Sequence, residues 1–279
     1  MTEMDPNGAP KTDAHSRQAR SHSYILAVED TGFLLRDEMR AMRFALEYAK
    51  ADLLLRDWGV RSTVIVFGSA RATSPEQLAA AEAAHGTKDR VGLARMRRQA
   101  AWYEAAREFG RIASERGGAL APHNRWHDNI IATGGGGGIM EAANRGAHEA
   151  GAPSIGFNIT LPHEQLPNRY ATPELTFRFH YFAMRKMHLA MRARALVVFP
   201  GGFGTMDELF ELLTLIQTGK MPPTPVVLFD EAYWRRLVNF EAMVEEGVIA
   251  PGDPDLFGFA DTAEEIWAML VARGLKAAE

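Results

Sequence analysis

One stretch of the chain constrains the fold more than any other: residues 195–219, ALVVFPGGFGTMDELFELLTLIQTG. It begins with a short apolar run rich in β-branched residues, which is typical of a strand buried on both faces. Gly201, Gly202 and Gly204 then predict a turn without side chains, where another molecule can approach the backbone closely. Thr205 suits the N-cap of a helix whose apolar residues recur at helical spacing. The N-terminus of such a helix is a ready site for an anion, and phosphate is the usual one.

Glu208 lies close to this turn and has two interpretations. The spacing Thr205-x-x-Glu208 is that of a capping box, in which the carboxylate caps its own helix and does nothing else. In the second interpretation the carboxylate belongs to the site. A carboxylate beside a phosphate is electrostatically unfavourable, unless it faces sugar hydroxyls or a centre that becomes positive during a reaction. This stretch alone leaves both interpretations open.

The rest of the chain continues the alternation of strands and helices. We expect strands at about residues 63–67, 129–133, 154–159, 195–199 and 225–229. Helices between them predict an α/β fold, a doubly wound, Rossmann-like parallel sheet with helices on both faces. A short strand at 177–181, a helix over 183–194 and a loop over 245–259 complete this prediction.

The N-terminal residues differ in composition from the rest of the chain. Residues 1–22 are polar and mixed in charge, so we expect a disordered tail without the apolar segment of a secretory signal. Residues 23–279 are expected to form a single Rossmann-like catalytic domain. Its N-terminal extension is predicted to be one helix over residues 30–57, because apolar residues recur there at steps of three and four.

Composition excludes several classes of function. The 279 residues include no cysteine, which rules out a disulfide framework and a cysteine nucleophile and makes the cytoplasm the default location. The net charge of -4 gives no global attraction to nucleic acid or to an anionic membrane. No stretch approaches the roughly 20 apolar residues of a membrane span.

A second strand–glycine–helix element surrounds five consecutive glycines, residues 134–138. Such a loop raises the alternative of a nicotinamide dinucleotide site. That site needs a carboxylate at the end of the following strand to hold the ribose, and Asn158 and Thr160 stand there instead. Gly68 and Ser69 follow the first strand, at the edge where ligands sit in open α/β sheets, although they also suit a plain turn.

A basic helix precedes the central strand and contains Arg185 and Lys186. These residues form either an exposed basic face or, for Arg185, a ligand contact beside Glu208. The histidines show no metal-ligand spacing, so we expect no metal and no cofactor.

Several motifs in the right order resemble those of the LOG family, the cytokinin riboside 5′-monophosphate phosphoribohydrolases, formerly labelled lysine decarboxylase-like. Residues 200–208, PGGFGTMDE, match the PGGxGTxxE signature. The resemblance extends from about Asp30 to the C-terminus and includes FGSAR, GIMEAANRGA, GFNITLPHEQLPN, FRFHYFAMRKMHL and TLIQTGK. Residues 182–184, Phe-Ala-Met, depart from the commoner Met-His before the Arg-Lys pair, as in a larger-bodied branch of the family.

The resemblance implies a Rossmann-like fold and hydrolysis of the N-glycosidic bond of a purine nucleoside 5′-monophosphate. Adenosine monophosphate (AMP), or a form of AMP modified at N6, would yield the free base and ribose 5-phosphate. The family's catalytic arginine and glutamate fall on Arg185 and Glu208. The candidate residues for binding phosphate and nucleotide are Gly68, Ser69, Gly135, Gly136, Met140, Glu141, Lys186, Gly201, Gly202, Gly204 and Thr205.

Two alternatives come from other classes of function. A pyridoxal phosphate decarboxylase needs a lysine for a Schiff base, and Lys186 and Lys220 are available without an evident pocket. A nucleotide-binding sensor would use the same phosphate site without turnover. We also expect a homodimer or larger homo-oligomer, because Phe210, Leu212 and Leu215 widen the apolar surface of the last glycine-led helix.

Overall fold

The computed structural model describes residues 14–85, 90–162 and 166–276, and within these the chain divides after Ala49 into two compact units. The regular elements described in the first unit are all helical. They form α1 (Ala14–Ala19), a 3₁₀ turn (His22–Tyr24), α2 (Thr31–Leu34), a second 3₁₀ turn (Asp37–Met39) and the start of α3 (Arg40–Trp58). The expected disordered tail lies outside the described residues as far as residue 13, and its remainder contains α1.

The single helix expected over residues 30–57 is wrong. The Asp30 side chain accepts a hydrogen bond from the Phe33 N–H and caps the separate short helix α2. Arg36 is extended, with φ -62° and ψ 150°, so the helical conformation is interrupted before α3 begins.

The second unit contains a sheet of seven strands. They are β1 (Thr63–Phe67), β2 (Ile130–Thr133), β3 (Ser154–Ile159), β4 (Thr176–Phe179), β5 (Ala193–Val198), β6 (Val226–Phe229) and β7 (Phe257–Ala260). The helices after β1 are α4 (Pro75–His85), α5 (Arg90–Arg116), α6 (Ile139–Glu149), α7 (Phe182–Met191), α8 (Phe203–Gln217), α9 (Glu231–Leu237), α10 (Phe240–Glu245) and α11 (Ala263–Ala272).

All neighbouring strands are parallel, in the order β4-β3-β2-β1-β5-β6-β7. The chain builds outward from β1 in one direction through β4, then returns to place β5 on the other side of β1. The doubly wound sheet predicted from the sequence is therefore confirmed. The strand order reverses between β1 and β5, and a crevice opens at that point beyond the carboxyl ends of the two strands.

Both faces of the sheet are buried. Alternate residues of a strand point to opposite faces, so Ile65 and Leu196 belong to one hydrophobic core while Val66 and Val197 belong to the other. The first core includes Leu209 of α8, and the second includes residues of α5, α6 and α11. Because both faces are covered, the strands are continuous apolar runs rather than alternating ones.

The segment 245–259, expected to be a loop, ends in strand β7 and contains a 3₁₀ turn (Asp253–Leu256). The sequence of β7, FGFA, is short and has a glycine in the middle, which obscures the strand signal. Packing explains that glycine, because a Cβ at Gly258 would lie 2.4 Å from the sulfur of Met269. Elsewhere α7 ends at Met191, so β5 begins two residues earlier than expected.

The extra apolar residues of α8 are partly accounted for within the chain. Leu212 is buried in the first core, and Phe210 and Leu215 pack against that core as partly buried side chains. The homo-oligomer inferred from these residues stays a prediction.

Candidate active site

The candidate site lies where the strand order reverses. Gly68 and Ser69 follow β1, and Pro200 and Gly201 follow β5, so the two parallel strands deliver both turns to the same edge of the sheet. The Ser69 N–H donates to the Pro200 carbonyl over 3.0 Å, and the Ser69 carbonyl accepts from the Ile139 N–H over 3.1 Å. These bonds join three loops around one crevice.

The crevice has a volume of about 1030 Å³. It is lined by ten of the thirteen residues predicted from the sequence: Gly68, Ser69, Gly136, Met140, Arg185, Gly201, Gly202, Gly204, Thr205 and Glu208. Gly135, Glu141 and Lys186 are not among its lining residues. The sequence-based prediction thus identifies most of the cleft but includes three residues with other surroundings.

Helix α8 begins earlier than the sequence indicates. Its N-cap is Gly202, in an extended conformation and without a side-chain capping bond, and Phe203 is its first residue. The prediction that Thr205 is the N-cap is therefore wrong. A glycine is needed at position 201, since a Cβ there would lie 2.1 Å from the Thr205 hydroxyl oxygen. The first N–H groups of α8 have no intrahelical partner, and at this helix no capping side chain competes for them.

The five-glycine run forms the opposite wall. Gly135 and Gly138 have positive φ angles of 70° and 63°, a conformation that favours glycine. A Cβ at Gly138 would lie 2.2 Å from the Ser69 carbonyl oxygen, and one at Gly135 would lie 2.2 Å from Oδ1 of Asn158. Close packing, rather than ligand contact, therefore explains Gly135.

A buried asparagine supports this wall from the long loop after β3. Asn168 donates from its backbone N–H to the Gly135 carbonyl over 2.9 Å and from Nδ2 to the Gly136 carbonyl over 3.1 Å. Its Nδ2 also donates to Oδ1 of Asn144 over 3.0 Å. The motif that contains Asn168 was part of the family resemblance, but nothing in the sequence indicated which atoms it would hold.

Arg185 and Glu208 meet in the cleft. Nη2 of Arg185, on α7, lies 2.5 Å from Oε1 of Glu208, on α8. Glu208 is only 4% exposed, and the Arg185 guanidinium lies 5.1 Å from the centre of the Phe182 ring. The Nε of Arg185 is buried without a hydrogen-bond partner in the described part of the chain. The guanidinium therefore binds Glu208 and keeps one donor unused.

The same geometry settles the capping question. Glu208 is the sixth residue of α8 and its carboxylate binds Arg185, so it does not close a capping box with Thr205. Burial raises the pKa of Glu208 above 4.5, and this effect is opposed by the charges of Arg185 and Lys186 and by the hydrogen bond from Arg185. The carboxyl group is held beside a cation in a site that disfavours its charged form.

The two charged residues that fall outside the cleft have partners elsewhere. Nζ of Lys186 lies 2.8 Å from both Asp207 and Glu211, along the outer side of α8. Glu141 accepts a hydrogen bond over 2.9 Å from the hydroxyl of Tyr103, a buried residue of α5. Their predicted contacts with a nucleotide are not supported by these positions.

The structure adds lining residues that the set of thirteen predicted residues does not include. Most of them are apolar or aromatic, among them Ile159, Leu161, Phe182, Phe203, Tyr233, Leu237 and Val238. Asn158 also lines the cleft, as does Arg71, which the sequence places after the first strand with Gly68 and Ser69. Tyr233 donates from its hydroxyl to the Gly201 carbonyl over 2.7 Å. No spacing signal connects Tyr233 to the glycine turn, because 31 residues separate them and only the sheet brings them together.

In the described ranges, none of the helices combines the length and the apolar character that a membrane crossing requires. Within those same ranges, no group of three or more histidine, aspartate or glutamate side chains is arranged to hold a metal ion.

The fold and site together define a doubly wound α/β protein with a cleft at the switch point of its sheet, where an Arg–Glu pair lies among mainly apolar side chains. A family model described as "Possible lysine decarboxylase" matches residues 140–270. The chain is 30% identical over 146 residues to a probable cytokinin riboside 5′-monophosphate phosphoribohydrolase, LOG4, of Oryza sativa subsp. japonica; the match covers 51% of this chain and 62% of the relative.

Two relatives from Arabidopsis thaliana are named cytokinin riboside 5′-monophosphate phosphoribohydrolases. LOG3 is 32% identical over 143 residues, covering 50% of this chain and 64% of the relative. LOG4 is 29% identical over 178 residues, covering 57% of this chain and 80% of the relative. The chain thus spans less than two thirds of the length of the first two relatives. These matches confirm the resemblance that the motifs indicate: the chain is similar in sequence to proteins of the LOG family.

A solved structure, the molybdenum cofactor binding protein of Rippkaea orientalis, aligns with 76% of this chain and 97% of its own length. The TM-score is 0.46 and the sequence identity 16%.

Proposed function

We propose that this protein is a phosphoribohydrolase that cleaves the N-glycosidic bond of a purine nucleoside 5′-monophosphate. The substrate would be AMP or an N6-modified AMP such as a cytokinin riboside monophosphate, and the products are the free base and ribose 5-phosphate. One observation carries the proposal: a buried Glu208 is paired with a partly buried Arg185 in a cleft between two glycine-led helix N-termini. The names of the related proteins support the same reaction class.

The 5′-phosphate is assigned to the N-terminus of α8. Gly201, Gly202 and Gly204 line the cleft, and glycine lets a ligand approach the backbone closely. The unpaired N–H groups and the helix dipole favour an anion there. A phosphate held at this point would fix the ribose relative to Glu208, so we expect monophosphates to be preferred over nucleosides.

Glu208 would act on the ribose. As the C1′–N bond breaks, its electron pair leaves on the base, which takes up a proton, and water adds its hydroxyl group to C1′. Positive charge builds on the ribose ring along this path, and a nearby carboxylate stabilises it. The carboxylate is effective only when ionised. Arg185 favours that form, since its charge and hydrogen bond lower a pKa that burial raises.

The decarboxylase suggested by the name of the family model finds less support. Lys186 is ion-paired with Asp207 and Glu211, and it does not line the cleft. Lys220 is exposed and also lies outside the cleft lining. A Schiff base requires a lysine amine within the site, and no lysine is among the described residues that line the cleft.

The test is base release from AMP, followed by chromatography, for wild type, Glu208→Gln and Glu211→Gln. Glu211 is the matched control: it is a glutamate on the same helix, and it pairs with Lys186 outside the cleft. We expect release by wild type and by Glu211→Gln, and a loss of about a hundredfold or more for Glu208→Gln, comparable with removal of one electrostatic catalytic group. Equal rates in all three proteins would contradict the role of Glu208.

Failure of the wild type to release any base would redirect the test to N6-modified monophosphates. Binding of these nucleotides without turnover would favour a nucleotide sensor instead.

A further inference from the structure

The hydroxyl of Tyr233 is attached to the glycine turn rather than directed at solvent. Tyr233 lies on α9, lines the cleft and donates to the Gly201 carbonyl over 2.7 Å. Its ring makes edge contacts with Trp102 at 5.7 Å and with Trp234 at 5.4 Å. Burial raises the pKa of Tyr233, so the hydroxyl keeps its proton and remains a donor at neutral pH.

The bond to Gly201 controls more than one atom of the turn. The Gly201 carbonyl and the Gly202 N–H are the two ends of one planar trans peptide unit, so they point in opposite directions. No cis peptide occurs in the described ranges. Fixing the carbonyl toward Tyr233 therefore fixes the direction of the Gly202 N–H, at the N-cap of α8. Glycine dihedrals rotate at little steric cost, so without such a bond this peptide unit is poorly held.

Tyr233 is itself held by Asp230. Oδ1 of Asp230 accepts from the Tyr233 N–H over 3.0 Å, and Oδ2 accepts from Nε1 of Trp102 over 2.8 Å. Asp230 has a φ of 68°, in the left-handed region that residues other than glycine seldom adopt. Such a conformation persists where surrounding bonds impose it, and it occurs preferentially at functional sites. A chain of contacts thus runs from α5 through Asp230 and Tyr233 to the glycine turn.

We propose that Tyr233 is a positioning residue, which orients the Gly201–Gly202 peptide so that the N-terminus of α8 is preformed to receive phosphate. This inference rests on the assignment of the phosphate to that helix end. It predicts an effect on phosphate affinity and not on the bond-breaking step, because Tyr233 acts through the backbone and Glu208 is left in place.

The test compares Tyr233→Phe with Tyr170→Phe. Tyr170 is the matched control, since its hydroxyl accepts a bond from Arg169 and the residue lies outside the cleft lining. For Tyr233→Phe we expect the dissociation constant of inorganic phosphate, measured by calorimetry, to rise about five- to tenfold, the effect of one lost hydrogen bond. The KM for AMP should rise by the same factor with kcat changed less than about twofold, and Tyr170→Phe should match wild type in both.

Phosphate affinity equal to that of wild type would overturn the proposal, as would a fall in kcat at unchanged KM. Because inorganic phosphate is the probe, the result does not depend on turnover. A wild type that binds phosphate but releases no base refutes the proposed reaction and leaves this inference in force. Should Tyr233→Phe fold poorly, Asp230→Asn gives a second measurement. It leaves one amide oxygen where the carboxylate has two, so the Tyr233 N–H and Nε1 of Trp102 can no longer both donate to it and the support of Tyr233 is weakened. Unchanged phosphate affinity in that variant would also overturn the proposal.

Discussion

Gly204→Ala tests whether the glycine near the start of α8 is needed for packing within the protein or for the approach of a ligand. Gly204 is the second residue of the helix and lines the cleft, and a Cβ added there would meet nothing within 4 Å. The protein alone therefore has room for alanine. In a helix the Cβ tilts toward the N-terminus, so the added methyl group extends toward the space assigned to the phosphate.

We expect Gly204→Ala to stabilise the fold and to weaken the binding of AMP. Replacing a helical glycine by alanine stabilises a protein by up to about 1 kcal/mol, because alanine loses less conformational freedom on folding. In a chain of this size such a gain raises Tm by roughly 2–4 °C. A hydrogen bond from a backbone N–H to a charged group contributes about 1.5–3 kcal/mol, so losing one should raise KM for AMP by about ten- to a hundredfold.

The assay is base release over a range of AMP concentrations, combined with thermal unfolding of the same samples. Gly252→Ala is the control, since a Cβ there also meets nothing within 4 Å and the residue does not line the cleft. We expect Gly204→Ala to be at least as stable as wild type with a raised KM, and Gly252→Ala to keep the KM of wild type. An unchanged KM in Gly204→Ala would refute the assignment of phosphate to this helix end.

Two further predictions concern the supports of the site. Burial raises the pKa of Glu208 above 4.5 and the charge of Arg185 lowers it, so kcat/KM should fall on the acid side with a midpoint above pH 4.5, and Arg185→Gln should move that midpoint to higher pH in a pH–rate profile. Because the pKa of Glu208 is higher in the folded state, its proton stabilises the folded protein below pH 4.5, and this stabilisation is lost as pH rises through the folded pKa. In urea unfolding, the free energy of unfolding of wild type relative to Glu208→Gln should therefore decline over that pH range. A difference that stays constant with pH would contradict the raised pKa. Asn168→Ala removes four side-chain hydrogen bonds, three of them buried, and should lower the free energy of unfolding by about 1–3 kcal/mol. An unchanged urea midpoint would show that the loop does not hold the glycine wall.

Much of the fold followed from local sequence patterns. Apolar runs such as residues 195–199 predicted buried strands because both faces of a parallel sheet are covered, and their alternation with helices predicted the doubly wound class. The prediction failed where a local exception outweighed the pattern. Gly258 interrupts β7, and Arg36 breaks the N-terminal helix because its extended backbone ends the run before α3.

The sequence by itself determined the class of fold, the positions of the glycine turns and the choice of Arg185 and Glu208 as candidate catalytic residues. Strand, turn and helix signals reside in neighbouring residues, and the two charged residues lie in two separate motifs, FRFHYFAMRKMHL and PGGFGTMDE. Only the tertiary structure decided that these two side chains meet at 2.5 Å, that Lys186 and Glu141 lie outside the cleft, and that Tyr233 holds the Gly201 carbonyl. Such contacts depend on which helices the sheet brings side by side, and strand order is a property of the whole chain that no local spacing records.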